Sequence, residues 1–148
     1  MQIRKMQESD VKQAAYLEAA VFSDPWSERS FLEALKNEAA YYIVVEEQGE
    51  ILGQCGYYNM CGEGEILNVA VKETARRQGI ARRMLLELME YGYVYGIGSY
   101  TLEVRAGNRA AIALYESLGF QKMGVRPGFY ENPKEDAIIM NAYRDYEA

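Results

Sequence analysis

Leu67 to Leu86, reading LNVAVKETARRQGIARRMLL, restricts the fold more than any other stretch of the chain. An apolar run of Leu67, Val69, Ala70 and Val71 passes into a polar turn, a double arginine and a glycine. Ile80, Met84, Leu85, Leu88 and Met89 then recur at helical spacing. That order predicts a strand, a tight turn and a helix. Gly79 and Ala81 leave little side chain in the way of a ligand lying against the backbone. The unpaired N–H groups of a helix start favour an anion by geometry and by dipole, so the turn suits a phosphate. The competing reading of Arg76, Arg77, Arg82 and Arg83 is a solvated basic helix face.

The rest of the chain supplies a mixed α/β frame. Gln2 to Met6 reads as a first strand, and Glu8, Ser9 and Asp10 open a helix through Val21. Pro25 breaks it, because proline restricts the residue before it. Ser27 is a candidate cap for a second helix carrying Phe31, Leu32 and Leu35. Tyr41 to Glu46, Ile51 to Met60 and Glu65 to Val71 read as strands joined by glycine-containing turns. After the central helix, which Gly92, Gly96 and Gly98 are expected to end, come the strand Tyr100 to Val104 and a helix capped by Asn108 and closed by Gly119. Phe120 to Val125 and Ala137 to Tyr143 read as the last strands, with a polar loop over Arg126 to Asp136 between them. The order β-α-α-β-β-β-α-β-α-β-β, without repeat or linker, fits one domain over residues 1–148.

Composition removes several chemistries. There is no histidine, so imidazole metal ligands, Ser-His-Asp triads and histidine bases are absent. Acid–base work falls to Glu, Asp, Tyr, Cys, Lys, backbone or water. Cys55 and Cys61 lack metal-ligand spacing and a visible base partner, which argues against a bound metal and against a cysteine nucleophile. They read as reduced thiols of a cytoplasmic protein. The start MQIRKMQESD has no long apolar stretch behind it, and no run reaches membrane-spanning length, so neither a secretory signal nor a membrane partner is expected. A net charge of -6 disfavours direct nucleic-acid binding, while four arginines within Arg76 to Arg83 suit a small polyanion.

Arg76-Arg77-Gln78-Gly79-Ile80-Ala81 resembles the acetyl-CoA motif of the GCN5-related N-acetyltransferase (GNAT) family. The motif alone is moderately specific. Further blocks are similar to the bacterial RimI group of that family: Pro25-Trp26-Ser27, Ile66 to Val71, Leu102-Glu103-Val104-Arg105, Asn108 with Ala110 to Phe120, and Tyr130 with Asp136 to Met140. The family often has glycine where Ala81 stands, a small departure. The resemblance covers essentially the whole chain. It implies a single-domain GNAT fold, a mixed and mostly antiparallel sheet flanked by helices, with splayed central parallel strands.

The same resemblance implies acetyl-CoA as co-substrate, without a metal. Val69, Ala70 and Val71 would pair with its pantetheine arm, Arg76 to Ala81 would take the pyrophosphate, and Asn108 would touch the arm while capping its helix. The acceptor would be the α-amine of an N-terminal alanine on ribosomal protein S18, a basic protein, attacked directly through a tetrahedral intermediate. A backbone N–H near Val69 would meet the oxyanion. Glu103 is the candidate base, facing away from core-facing Leu102 on its strand; the competing reading is a surface glutamate. An ordinary glutamate is a weak base near neutrality, and partial burial strengthens it. Glu65, acting through water, is the rival base or a substrate contact. Tyr115 is the candidate acid for the departing thiolate; the competing reading is a core tyrosine. Trp26, Tyr58, Asn68 and Tyr130 are candidate peptide contacts, and Trp26 reads equally well as a core anchor.

Alternatives within this reading are a lysine, broader-specificity or small-amine acetyltransferase. From another class comes a non-catalytic acyl-CoA-binding sensor, against which Glu103 and Tyr115 argue. A P-loop is absent, since Ile80 and Ala81 follow Gly79, and the three-glycine dinucleotide fingerprint is missing. Oligomeric state and regulatory partners are open at this level.

Overall fold

The computed structural model describes residues 1–144. Its frame is one seven-stranded sheet in the order β1-β2-β3-β4-β5-β7-β6. The strands are β1 (Gln2–Lys5), β2 (Ala40–Glu47), β3 (Glu50–Met60), β4 (Glu63–Val71), β5 (Ser99–Arg105), β6 (Gln121–Tyr130) and β7 (Glu135–Tyr143). The helices are α1 (Val11–Val21), α2 (Glu28–Lys36), α3 (Ile80–Val94) and α4 (Arg109–Ser117). All neighbouring strands are antiparallel except β4 and β5.

Local chemistry sets several boundaries. Ser27 accepts from the Ser30 N–H at 3.1 Å and starts α2. Asn108 accepts from the Ala111 N–H at 3.1 Å and starts α4. Gly119, at φ +95°, follows the end of α4 in the left-handed conformation that glycine allows.

The two faces of the sheet carry separate cores. Helices α1 and α2 pack Val11, Ala14, Phe31 and Ala34 against Tyr42, Val44 and Ile51. On the other face Ile80, Met84, Leu85 and Leu88 of α3, with Tyr115 of α4, cover Ile43, Val45, Cys55, Ile66, Leu102 and Val104.

Two expectations about the chain's punctuation are corrected. Gly92 does not end the central helix, which runs to Val94. Tyr100 occupies the space where a Cβ at Gly92 would sit, and its hydroxyl donates to the Met89 carbonyl at 2.9 Å. Gly92 is thus a packing glycine. The loop expected over Arg126 to Asp136 is largely strand: β6 continues to Tyr130 and β7 begins at Glu135. Pro127 is tolerated because β6 is an edge strand, where a missing N–H breaks no ladder on the open side. The register shifts between Arg126 and Tyr130. Among the described residues, no helix is long and apolar enough to cross a membrane.

Candidate active site

The sheet opens at its centre. Strands β4 and β5 pair only at Glu63↔Ser99, Gly64↔Tyr100 and Glu65↔Thr101. Beyond Glu65 they part. In that parted region β4 also bulges: Gly56 pairs with Leu67 and Gln54 with Ala70, so Asn68 and Val69 together oppose Cys55. Asn68 takes φ +59°, a left-handed value that asparagine tolerates better than most residues. Val69 and Val71 pack against the α3-side core.

At the far end of β4 the chain turns through a 3₁₀ segment, Glu73–Ala75, into the arginine-rich turn. Arg77 at φ +66° and Gly79 at φ +75° curl the backbone before α3. A Cβ at Gly79 would meet nothing within 4 Å, so the space above the turn is open. A cavity of about 150 Å³ lies here against Val71, Arg76, Arg77, Gly79 and Leu114. The Arg76 Nε donates to the Val71 carbonyl at 3.2 Å. Arg82 is committed elsewhere, donating to the Ser117 hydroxyl at 2.7 Å. The Ile80 side chain is buried in the core, which leaves only its backbone for a ligand. The strand-turn-helix expected from the sequence is thus present, with N–H groups of the helix start beside a cavity.

Alternation along the strands decides which groups meet in the gap. Tyr100, Leu102 and Val104 point into the α3-side core, so Thr101, Glu103 and Arg105 face the α1–α2 side. Gly64 lies against Tyr100, so Glu65 faces the α1–α2 side as well, paired with Tyr58 across β3. Glu103 and Glu65 therefore share one face of the gap. Glu103 is half-buried; its Oε1 lies 3.7 Å from the Arg126 Nε, and its Oε2 is shielded from solvent without a hydrogen-bond partner. Glu65 is half-buried as well.

Tyr115 approaches from the other side, buried at 7% exposure and edge-on to Phe120 at 5.8 Å. Burial, with Cys55 and Tyr130 nearby, pushes its phenol well above the usual range, so it is protonated at neutral pH. Tyr130 lies within electrostatic reach of both Tyr115 and Glu103. The structure thus brings Glu103, Tyr115 and Tyr130 near one another, with Glu65 on the Glu103 face of the gap.

The entrance is shaped by two connections. Trp26, half-buried between α1 and α2, packs on Phe31 at 5.2 Å and Tyr42 at 5.7 Å. It anchors the smaller core and still shows an edge to solvent. Tyr58 stands near Tyr42, with ring centroids 6.4 Å apart. Opposite, the turn between β6 and β7 is held by Arg105, which donates to the Glu131 and Pro133 carbonyls, both at 2.9 Å, and stacks over Tyr130 at 4.5 Å. Arg105 also reaches the Ser23 hydroxyl at 3.2 Å, tying the α1–α2 connection to that turn.

Three further residues support this arrangement without a motif to mark them. In the sequence Arg105 is only part of a matching block and Tyr42 only part of a strand. Glu18 lay in plain view, since Ala14, Leu17 and Glu18 occupy one helix face and all three are buried. A carboxylate on an apolar stripe was the available signal. Its Oε2 accepts from the Asn68 Nδ2 at 2.6 Å and the Trp26 N–H at 3.2 Å. Burial raises the Glu18 carboxyl above its usual range, and these hydrogen bonds hold back part of the rise. Cys55 is buried and Cys61 exposed, both as free thiols. Among the described residues, no group of three or more acidic or cysteine side chains is placed to hold a metal ion.

The model of the acetyltransferase (GNAT) family matches residues 9–120. A putative ribosomal protein bS18-alanine N-acetyltransferase of Bacillus subtilis is 33% identical over 139 residues, covering 93% of this chain and 92% of that protein. The ribosomal protein bS18-alanine N-acetyltransferase of Escherichia coli K12 is 34% identical over 142 residues, covering 93% and 94%. A crystal structure of the ribosomal-protein-S18-alanine N-acetyltransferase from Escherichia coli superposes with a TM-score of 0.89 at 32% identity, covering 99% of this chain and 96% of that one.

Proposed function

The chain belongs to the acetyltransferase (GNAT) family, and from that premise we propose that it moves an acetyl group from acetyl-CoA to the α-amine of an N-terminal alanine, with ribosomal protein S18 as the protein acceptor. Relatives named for that activity match nearly end to end, which supports the reading. The observation that carries it is the gap beyond Glu65, with Glu103 and Glu65 on one face and Tyr115 on the other. The open turn from Arg77 to Ala81 fits a pyrophosphate, because a side chain at Gly79 would meet no neighbour and the helix start offers N–H donors. Acetyl-CoA supplies the thioester that the amine attacks directly.

Each residue then has a defined task. Val69, Ala70 and Val71 offer backbone groups that β5 does not use. Asn108 caps α4 just after β5, from where it would touch the cofactor arm. Glu103 takes the proton of an amine whose pKa is about 8. Tyr115 holds its proton for the departing sulfur. Trp26, Tyr58 and Tyr130 border the peptide, and Asn68 meets it through its backbone because its amide is held by Glu18 and Tyr42. Glu65 and Glu131 suit a basic acceptor, Glu103 and Glu135 already facing Arg126 and Arg105.

The test is acetyl transfer to short peptides with free or blocked α-amines, the added group being located by mass spectrometry. One peptide begins with the S18 alanine sequence and one carries an internal lysine. Transfer to the free alanine amine alone is expected. Transfer to lysine in the blocked peptide would reassign the acceptor class, and tight binding without transfer would favour a sensor.

Tyr115→Phe is expected to lower kcat only about tenfold at pH 7. A thiol of pKa near 8.5 leaves with modest help, so the full gain of general acid catalysis is not at stake. Packing on Phe120 survives the change, and the melting temperature should stay close to that of the unaltered chain. Steady-state release of free thiol measures the first quantity and calorimetry the second.

A further inference from the structure

Glu18 is 2% exposed on the apolar face of α1, between Ala14 and Leu17 above and the α1–α2 connection below. Placing an ionisable group there is costly, and an apolar side chain of the same size would pack without that cost. One carboxylate oxygen accepts from both the Asn68 side chain and the Trp26 backbone, while Oε1 is buried without a well-formed hydrogen bond, the Gln54 side chain lying nearby. Asn68 is gripped from its other side as well, its Oδ1 accepting from the Tyr42 hydroxyl at 2.6 Å. The amide so held belongs to the residue that turns left-handed in the β4 bulge. That bulge borders the gap between β4 and β5.

We propose that Glu18 is a positioning residue for acyl transfer: it clamps the Asn68 amide, fixes the left-handed bulge and so holds the Val69 backbone against the acetyl group, while tying the Trp26 wall to the same frame. The inference rests on the acyl-CoA site proposed above, and not on the identity of the amine acceptor. Two sets of hydrogen bonds converge on one short side chain, and a left-handed residue persists only where its surroundings over-determine it. Glu18 touches no reacting atom. It acts through Asn68.

The experiment separates this role from simple stabilisation and from the choice of acceptor. Affinities for acetyl-CoA and for CoA are measured by titration calorimetry on the full chain and on Glu18→Met and Glu18→Gln. Methionine keeps the length and removes the acceptor; glutamine keeps an oxygen able to accept both hydrogen bonds. The unaltered chain should prefer acetyl-CoA over CoA several-fold. Glu18→Met should lose that preference with CoA affinity unchanged within about twofold, since the arginine-rich turn lies elsewhere. Glu18→Gln should recover most of it. With whichever peptide the unaltered chain acetylates, Glu18→Met should lower kcat at least tenfold, and combining it with Asn68→Ala should lower it little further. Loss of the preference through Glu18→Met at constant CoA affinity supports the role even if the alanine peptide is no substrate. Retention of the preference by Glu18→Met, its absence in the unaltered chain, or a lowered melting temperature as the sole effect would overturn it.

Discussion

Glu103→Gln is expected to reduce kcat/KM for a free alanine peptide by about 10² to 10³ at neutral pH, the range of a lost general base. The variant should fold normally. Glu103 forms no close hydrogen bond, its nearest cation is 3.7 Å away, and its Oε2 is already shielded without a partner. Replacing it by an amide breaks no strong contact. The deficit should narrow as pH rises. Above a pKa of about 8 the acceptor amine loses its proton to water, and the base becomes dispensable. Initial rates across pH 6.5 to 9.5 measure both effects. Glu65 shares the face and supplies the competing outcome. If Glu65→Gln shows the larger fall and the stronger pH rescue, the proton leaves through Glu65 and water, and Glu103 orients the amine.

Gly56→Ala should be the most destabilising single-methyl change near the site, lowering stability by about 3 kcal/mol. A Cβ at Gly56 would lie inside contact distance of the Tyr42 ring carbons. That ring cannot swing away. It is 1% exposed, wedged between Trp26 at 5.7 Å and Phe31 at 6.1 Å, and its hydroxyl donates to Asn68. Overpacking costs about 1–3 kcal/mol and loss of the hydrogen bond about 1 more. For a domain of this size that corresponds to roughly 10 °C in melting temperature. Thermal unfolding read by circular dichroism would measure it. An unchanged melting temperature would mean that β3 can move away from Tyr42 without cost, contrary to its tight pairing with β2 and β4. Because Tyr42 supports the Asn68 amide, residual folded protein should also turn over more slowly.

The elements that proved legible are those whose causes are local. Ser27 and Asn108 cap helices through their own nearby N–H groups, and Gly119 closes α4 with its own backbone freedom. The strand-turn-helix of Leu67 to Leu86 follows from periodicity and from Gly79. Even the parted central strands entered through a motif within that stretch, as a family resemblance. The punctuation that misled did so where packing overruled the residue type. Gly92 sits mid-helix because Tyr100 needs its missing side chain. Pro127 sits in a strand because that strand is an edge.

The order of the elements, the anion-suited turn and the shortlist of acid–base groups are legible in the chain, because periodicity, caps and the lack of histidine act over a few residues or none. It takes the folded chain for Glu18 and Asn68, fifty positions apart, to share a hydrogen bond, for Arg105 to bind the β6–β7 turn to the α1–α2 connection, and for Glu103 and Tyr115 to share Tyr130 as a neighbour. Burial and polar pairing depend on which strands lie side by side and which faces they turn to each other. Those relations are fixed by closure of the whole sheet and are carried by no segment alone.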